Sequence, residues 1–334
     1  MFKSKKNTFL FILKVAVSSI LIWYLLNNTD LSAIYLSLKT ANPWWIFFAF
    51  VTLNIGKLLT GYRWQILLQA QEIHIHLRSL VASVYVGQFF NSILPSTVGG
   101  DAYRAYDTAT ESKQTTKSII SLIADRLIGV FALALLAVVA LFVGWLIGDD
   151  VSFYVFPVLF VFILCSLGMS LVFFDRPYSW FDSLLRRFNL HKFADQLTKA
   201  YESLYSLRKQ PIVLLAAFII SILLQINVVL FYYFIGVALD MNVSFLYFAM
   251  IVPVALVVLL VPFSINGIGI REGIFVFLLT GLGVPSSQAI ALSWISFGLM
   301  LTQGIIGGVI FALRGEDLRR SHPNSAVSQE QPKQ

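Results

Sequence analysis

Long apolar stretches separated by short polar breaks run along almost the whole chain. A helix that crosses a bilayer needs about 20 mainly apolar residues, whereas a barrel strand needs only about ten of alternating polarity. Stretches of the helical kind lie at 8–26, 43–68, 120–147, 151–174, 211–239, 244–262 and 286–313, and weaker ones at 78–94 and 265–283. The pattern therefore predicts an all-α, polytopic membrane helical bundle of about eight spans.

Two of the polar breaks resemble each other, and each follows an apolar stretch. Each contains glycine, small polar residues and one of the prolines Pro95 and Pro262, and then offers charge. Irregular backbone exposed to lipid leaves N–H and C=O groups unpaired, so such breaks persist only inside protein or beside a water-filled cavity. Comparable breaks in two halves are typical of a transporter binding site, suggest an inverted repeat and predict one or two re-entrant segments. The hinge or turn residues are predicted to be Pro95, Gly99, Gly100, Pro262, Gly267 and Gly269.

The distribution of lysine and arginine among the loops predicts the orientation. Positive charge collects at the N-terminus, in segment 175–210 and in the tail, whereas the connections 148–150 and 240–243 carry aspartate and no lysine or arginine. We therefore expect a multi-pass protein of the cell inner (plasma) membrane with cytoplasmic N- and C-termini. On this basis 78–94 enters the membrane and returns, and 265–283 crosses. In the alternative, both segments cross or both re-enter.

Composition excludes a soluble protein. The chain is 58% hydrophobic and only 12% charged, with a net charge of +7, while soluble domains carry about 25% charged residues. Because the positive charge lies between spans, it indicates contact with lipid headgroups and not nucleic-acid binding. Residues 1–313 are predicted to form one transmembrane domain, and 314–334 a disordered cytoplasmic tail. Segment 175–210 is a cytoplasmic amphipathic segment, either an interfacial helix or a solvated linker.

Charged residues within the apolar stretches are the first candidates for function, because inserting one costs roughly 2.5 kcal/mol or more. Arg63 shares a helix face with the small residues Gly56 and Thr60, and such a face lets another helix approach closely. Asp125 and Arg126 interrupt a long apolar stretch. Since neighbours in a helix do not face each other, each is expected to meet a partner elsewhere, as a structural ion pair or a substrate contact.

The charges of the first break favour an anion. Glycines that open a helix expose N–H groups at the positive end of its dipole, where a phosphate binds readily. Arg104 is expected to hold that phosphate bidentately, and Asp101 to orient Arg104 or to cap the helix. Both residues are also candidate partners for the charges of the 120–147 span. In the second break, Arg271 and Glu272 follow the glycines in a similar order.

The predicted substrate-binding residues are therefore Arg63, Asp101, Arg104, Asp125, Arg126, Arg271 and Glu272. No catalytic residue is predicted. No metal site is predicted either, since His74 and His76 have too few companions. The sequence also indicates no cofactor, because it contains no Walker motif, no complete dinucleotide fingerprint and no nucleophile elbow.

In combination these motifs resemble the lysylphosphatidylglycerol synthase transmembrane (flippase-like) family over about residues 10 to 313. The residues that carry the resemblance are Arg63-Trp64, Asn91 to Pro95, Gly99 to Asp101, Arg104, Asp125-Arg126 with Gly129, and Pro262 to Gly273. Where the family usually has Glu-Arg, this chain has Asp125-Arg126. The family includes the membrane half of the multiple peptide resistance factor, which the resemblance links to moving aminoacylated phosphatidylglycerol between leaflets. The soluble aminoacyltransferase domain of that protein is expected to be absent here.

The resemblance implies a lipid transporter that moves an anionic or aminoacylated phospholipid, or a polyprenyl-linked lipid, between leaflets. Two alternatives stay open, namely a phosphatidylglycerol lysyltransferase-type enzyme and an accessory subunit of a lipid-modifying complex. The expected partners are membrane lipids and not nucleic acid, with either a homo-oligomer or a lipid-synthesis partner still open.

Overall fold

Every regular element that the structure describes is an α-helix. The computed structural model describes residues 27, 30–93, 99–173, 175–187, 190–191, 193–195, 198, 201, 207–260, 264 and 267–321. The helices are α1 Leu31–Thr40, α2 Pro43–Gln69, α3 Leu77–Ile93, α4 Gly99–Ser112, α5 Thr115–Leu146, α6 Ser152–Phe173, α7 Asp175–Arg187, α8 Pro211–Ala238, α9 Phe245–Leu260, α10 Ile270–Thr280 and α11 Ser286–Ser321. The predicted all-α fold class is thereby confirmed.

Five of the described helices are long and apolar enough to cross a membrane, namely α2, α5, α6, α8 and α11. They coincide with the predicted spans at 43–68, 120–147, 151–174, 211–239 and 286–313. The predicted span at 8–26 lies outside the described residues. Of the remaining helices, α3 packs against α4 and α9 against α10, and all four are shorter than these five.

Contacts between helix termini define two ends of the bundle. At the end that we call the Asp150 end, the N–H of Asn42 at the start of α2 donates to the carbonyl of Ala238 at the end of α8 over 2.8 Å. The turn between α5 and α6 lies at this end. At the opposite end, which we call the Gln210 end, the side chain of Gln210 before α8 donates to the carbonyl of Ala70 after α2 over 2.9 Å.

Helices α3 and α4 form the first re-entrant hairpin. Near the start of α3, Ser83 donates to Asp107, and Ser79 donates to Glu111 over 3.2 Å. Both acceptors lie near the end of α4, so the chain returns to the Gln210 end where it began. With 17 residues, α3 rises about 25 Å and stops short of a core about 30 Å thick. These contacts are the ones that a segment which enters and returns requires, and that 78–94 does so in a membrane stays a prediction.

Helices α9 and α10 form a second hairpin, which we call the second re-entrant hairpin because both of its ends lie at the Asp150 end. The hydroxyl of Tyr154, at the start of α6, donates to the carbonyl of Leu278 near the end of α10 over 2.9 Å. Near the start of α9, Leu246 and Met250 lie beside Gly144. A turn at 267–269 leaves only 11 residues for α10, or about 16 Å. That 265–283 crosses stays a prediction, because a crossing pair of helices would place the same termini at this end.

Helix α11 runs past both hairpins and holds them against the bundle. At its start, Gln288 donates to the carbonyl of Leu239 over 3.2 Å. At its far end, Arg314 pairs with Asp107 over 3.1 Å. Between them, a methyl group on Gly307 would overlap the carbonyl of Tyr85 in α3. Small residues permit such close backbone approach between membrane helices.

Candidate functional site

A buried carboxylate lies at the centre of the charged residues predicted from the sequence. Asp125 on α5 is 2% exposed. It accepts from Nε of Arg63 on α2 over 2.6 Å and from Nη2 of Arg104 on α4 over 3.4 Å. The expectation that Asp125 meets a partner elsewhere is therefore confirmed, and Arg104 is one of its two partners.

Asp101 extends this network towards the surface. It lies 3.4 Å from Arg104 and also pairs with Arg126, whose side chain is 44% exposed. Arg63, Asp101, Arg104, Asp125 and Arg126 thus form one ion-pair cluster with three positive and two negative charges. Arg126 meets Asp101, as expected, and is the member that reaches the surface.

Neighbouring residues shape the pocket around the buried guanidinium groups. The Arg104 guanidinium lies 4.2 Å from the centre of the Trp64 ring, where the ring face attracts a cation. The Arg63 guanidinium donates to Ser221 on α8 over 2.8 Å. A methyl group on Gly129 would lie 2.9 Å from Arg63 Nη1, so glycine provides the space for this side chain. The ion-pair cluster therefore joins α2, α4, α5 and α8.

The charges of the second break lie on the second re-entrant hairpin and not in the ion-pair cluster. Gly267 and Gly269 adopt φ of +73° and +85°, a backbone region that glycine enters without a steric penalty. The Glu272 carboxylate accepts from the N–H of Gly269 over 2.6 Å and caps α10. Arg271 is 4% exposed, and its guanidinium lies 4.6 Å from the centre of the Phe297 ring.

Arg271 lines a cavity of about 190 Å³, which we call the tip cavity. The end of α3 contributes Gln88, Asn91 and Ser92 to its lining, and the second hairpin contributes Gly267 with Arg271. The remaining lining residues are Tyr232, Leu256, Leu259, Phe297, Met300 and Leu301. The end of α3 and the start of α10, which belong to hairpins that begin at opposite ends of the bundle, therefore meet at one cavity.

Asn91 joins the tip cavity to the start of α4. Its side-chain oxygen accepts from the N–H of Gly100 over 2.7 Å, at the position where the sequence predicted an anion. Gly100 in turn packs so closely on Gly87 that a methyl group would overlap the Gly87 carbonyl. The predicted turn residues Pro95 and Pro262 lie outside the described residues.

A second cavity of about 230 Å³, which we call the Lys57 cavity, lies beside the first. It shares Tyr232, Leu256 and Met300 with the tip cavity. The Lys57 ammonium donates to the side-chain oxygen of Gln88 over 2.9 Å, and this bond links the two cavities. The other lining residues are Leu53, Gly56, Thr60, Leu224, Asn227, Val228 and Phe231.

Most polar residues of these cavities were missing from the predicted set, among them Lys57, Gln88 and Asn91. Lys57 could have been included, since a lysine within an apolar span is itself a signal. Gln88 and Asn91 carry no charge, and no local pattern distinguishes them from other amides in the chain. Gly56 and Thr60 share their predicted face with Arg63, but they line the Lys57 cavity while Arg63 enters the ion-pair cluster.

Comparison with known proteins agrees with the motifs. The family model described as the lysylphosphatidylglycerol synthase TM region matches residues 11–307. The chain belongs to this family. Membership in the lysylphosphatidylglycerol synthase TM family, together with the long apolar helices, identifies a multi-pass membrane protein of lipid metabolism or transport. No curated protein and no solved structure matches the chain.

Proposed function

We propose that this protein moves a lipid headgroup between the leaflets of the plasma membrane by way of the tip cavity. The observation that carries the proposal is that the end of α3 and the start of α10, from hairpins that begin at opposite ends, meet at a cavity lined by Arg271. A polar headgroup crosses hydrocarbon only where its charge and hydrogen bonds are satisfied. Broken helices that meet near mid-membrane are the arrangement by which transporters expose one site alternately to each side.

In this proposal the charged residues of the second re-entrant hairpin and those of the ion-pair cluster have different roles. Arg271 binds the lipid phosphate, because its guanidinium lines the cavity and offers several donors to phosphate oxygens. Gln88, Asn91 and Ser92 supply further polar contacts, while the apolar lining residues accommodate the start of the acyl chains. The ion-pair cluster positions α4, since Arg104 already contacts Asp101 and Asp125. Glu272 fixes the turn that presents Arg271.

The orientation belongs to the same proposal. The Gln210 end carries the lysines and arginines of the 175–210 segment and faces the cytoplasm, as positive charge in short loops does. The Asp150 end faces outward, and both termini are cytoplasmic. Membrane lipids are the partners that the function requires, and a homo-oligomer is compatible with it.

The test is lipid translocation in vesicles that contain the purified protein and phosphatidylglycerol labelled on an acyl chain. Arg271→Ala should slow the exchange of label between leaflets about tenfold or more, because it removes charge-assisted hydrogen bonds to the headgroup. Arg186→Ala is the matched control, since Arg186 lies on α7 and pairs with Asp182. Equal rates for Arg271→Ala and the wild type would refute the site. A wild-type protein that is inert without a partner would favour the accessory-subunit alternative.

A further inference from the structure

We infer, on the basis of the proposed function, that the transported headgroup carries phosphate and no amine. The substrate class is therefore an anionic lipid of the phosphatidylglycerol type and not an aminoacylated one. The inference rests on the charges that line the tip cavity and the Lys57 cavity, which share three lining residues.

The charged lining is exclusively cationic among the described residues. Arg271 belongs to the tip cavity and Lys57 to the Lys57 cavity, and neither lining includes aspartate or glutamate. The other polar lining residues are neutral, namely Gln88, Asn91, Ser92, Tyr232, Thr60 and Asn227.

The nearest carboxylates of the predicted site already have partners. Glu272 accepts from the backbone of Gly269. Asp125 lies between Arg63 and Arg104, and Asp101 contacts two arginines of the same ion-pair cluster. That cluster has one positive charge in excess, so it adds no negative potential to the cavities.

These charges favour one headgroup over the other. A phosphodiester brings one negative charge to a site that holds cations, and the pairing offsets part of its desolvation. An aminoacylated headgroup adds a buried ammonium for which the lining residues that the structure describes offer no counterion, and uncompensated buried charge is strongly unfavourable. The amide and hydroxyl groups of Gln88, Asn91 and Ser92 both donate and accept, which suits the hydroxyls of a glycerol headgroup.

The experiment compares acyl-labelled phosphatidylglycerol, phosphatidic acid and lysylphosphatidylglycerol in vesicles that contain the full chain. The first two should exchange between leaflets about tenfold faster than the third, because only the third introduces an unpaired ammonium. Comparable or faster movement of lysylphosphatidylglycerol would overturn the inference while leaving the proposed function intact. Failure to move any lipid would instead contradict the proposed function. Soluble glycerol phosphate should not compete, and full competition by it would indicate a carrier of soluble phosphates.

Two substitutions test the charges directly. Gln88→Glu places a carboxylate between the two cavities and should shift the preference towards lysylphosphatidylglycerol, whereas Gln288→Glu at the start of α11 should not. Lys57→Gln removes one cation and should bring the exchange rates of phosphatidylglycerol and lysylphosphatidylglycerol closer together. This variant keeps the test informative if Gln88→Glu does not fold. An unchanged ratio in Gln88→Glu and Lys57→Gln would show that lining charge does not select the lipid.

Discussion

At the scale of single residues, the ion-pair cluster depends on one carboxylate. Asp125 accepts from Arg63 and Arg104, and all three residues are less than 10% exposed. Removing one partner from a buried ionic group costs far more than the group contributes net, because the remaining charges stay desolvated. Asp125 is thus the residue on which the packing of α2, α4 and α5 depends most.

Replacing Asp125 by Asn should therefore destabilise the protein by about 3–5 kcal/mol. The amide keeps the shape of the side chain and removes the charge that both guanidinium groups need. Unfolding of the purified protein in detergent measures the effect. Glu72→Gln provides the control, because Glu72 pairs with Lys117 at the surface with 86% of its side chain exposed. Equal stability of the two variants would contradict a structural role for the cluster.

Sequence reasoning predicted the residues of the ion-pair cluster. Of the polar residues that line the two cavities, it predicted only Arg271. Charges inside an apolar span need partners, so the pairing of Asp125 with Arg104 and of Arg126 with Asp101 was predictable. The separation of Arg271 from that cluster was not, because it depends on which end of the bundle each hairpin enters. Gln88 and Asn91 acquire their roles only from tertiary contacts with Lys57 and Gly100.

At the scale of elements, apolar length predicted the long spans but not the arrangement of α9 and α10. A stretch such as 211–239 has only one arrangement in a bilayer, whereas 244–283 could cross twice or enter and return. The contact between Tyr154 and Leu278 places the end of α10 at the Asp150 end, as either arrangement requires, and no local pattern distinguishes the two. The close approach of Gly307 on α11 to α3 is likewise a tertiary feature, because it depends on which helix packs there.

Helix α11 should lose its contact with the first re-entrant hairpin when Gly307 becomes Ala. The added methyl group would overlap the backbone carbonyl of Tyr85, and a backbone atom in a packed helix yields less easily than a side chain. Overpacking of this kind costs about 1–3 kcal/mol. Thermal unfolding should show the loss for Gly307→Ala and not for Gly298→Ala, because a methyl group on Gly298 has no neighbour within 4 Å. A stable Gly307→Ala variant would mean that α11 and α3 separate readily.

At the scale of the whole molecule, the two re-entrant hairpins give the bundle an approximate inversion. The first hairpin opens to the Gln210 end and the second to the Asp150 end, while the end of α3 and the start of α10 line the tip cavity. Each hairpin contains glycines followed by an arginine, as the sequence suggested. The proposed function needs this cavity to open in turn to each end.

Alternating access predicts that one residue of the tip cavity is reached from both faces of the membrane. In a Cys165→Ser background, a cysteine in place of Ser92 should react with a membrane-impermeant thiol reagent supplied from either side. Ser293→Cys is the control, since Ser293 is 0% exposed and lies outside both cavities. Phosphatidylglycerol in the vesicle should slow the labelling of position 92 by occupying the cavity. Labelling from one face alone would restrict the tip cavity to a fixed binding site and would rule out transport through it.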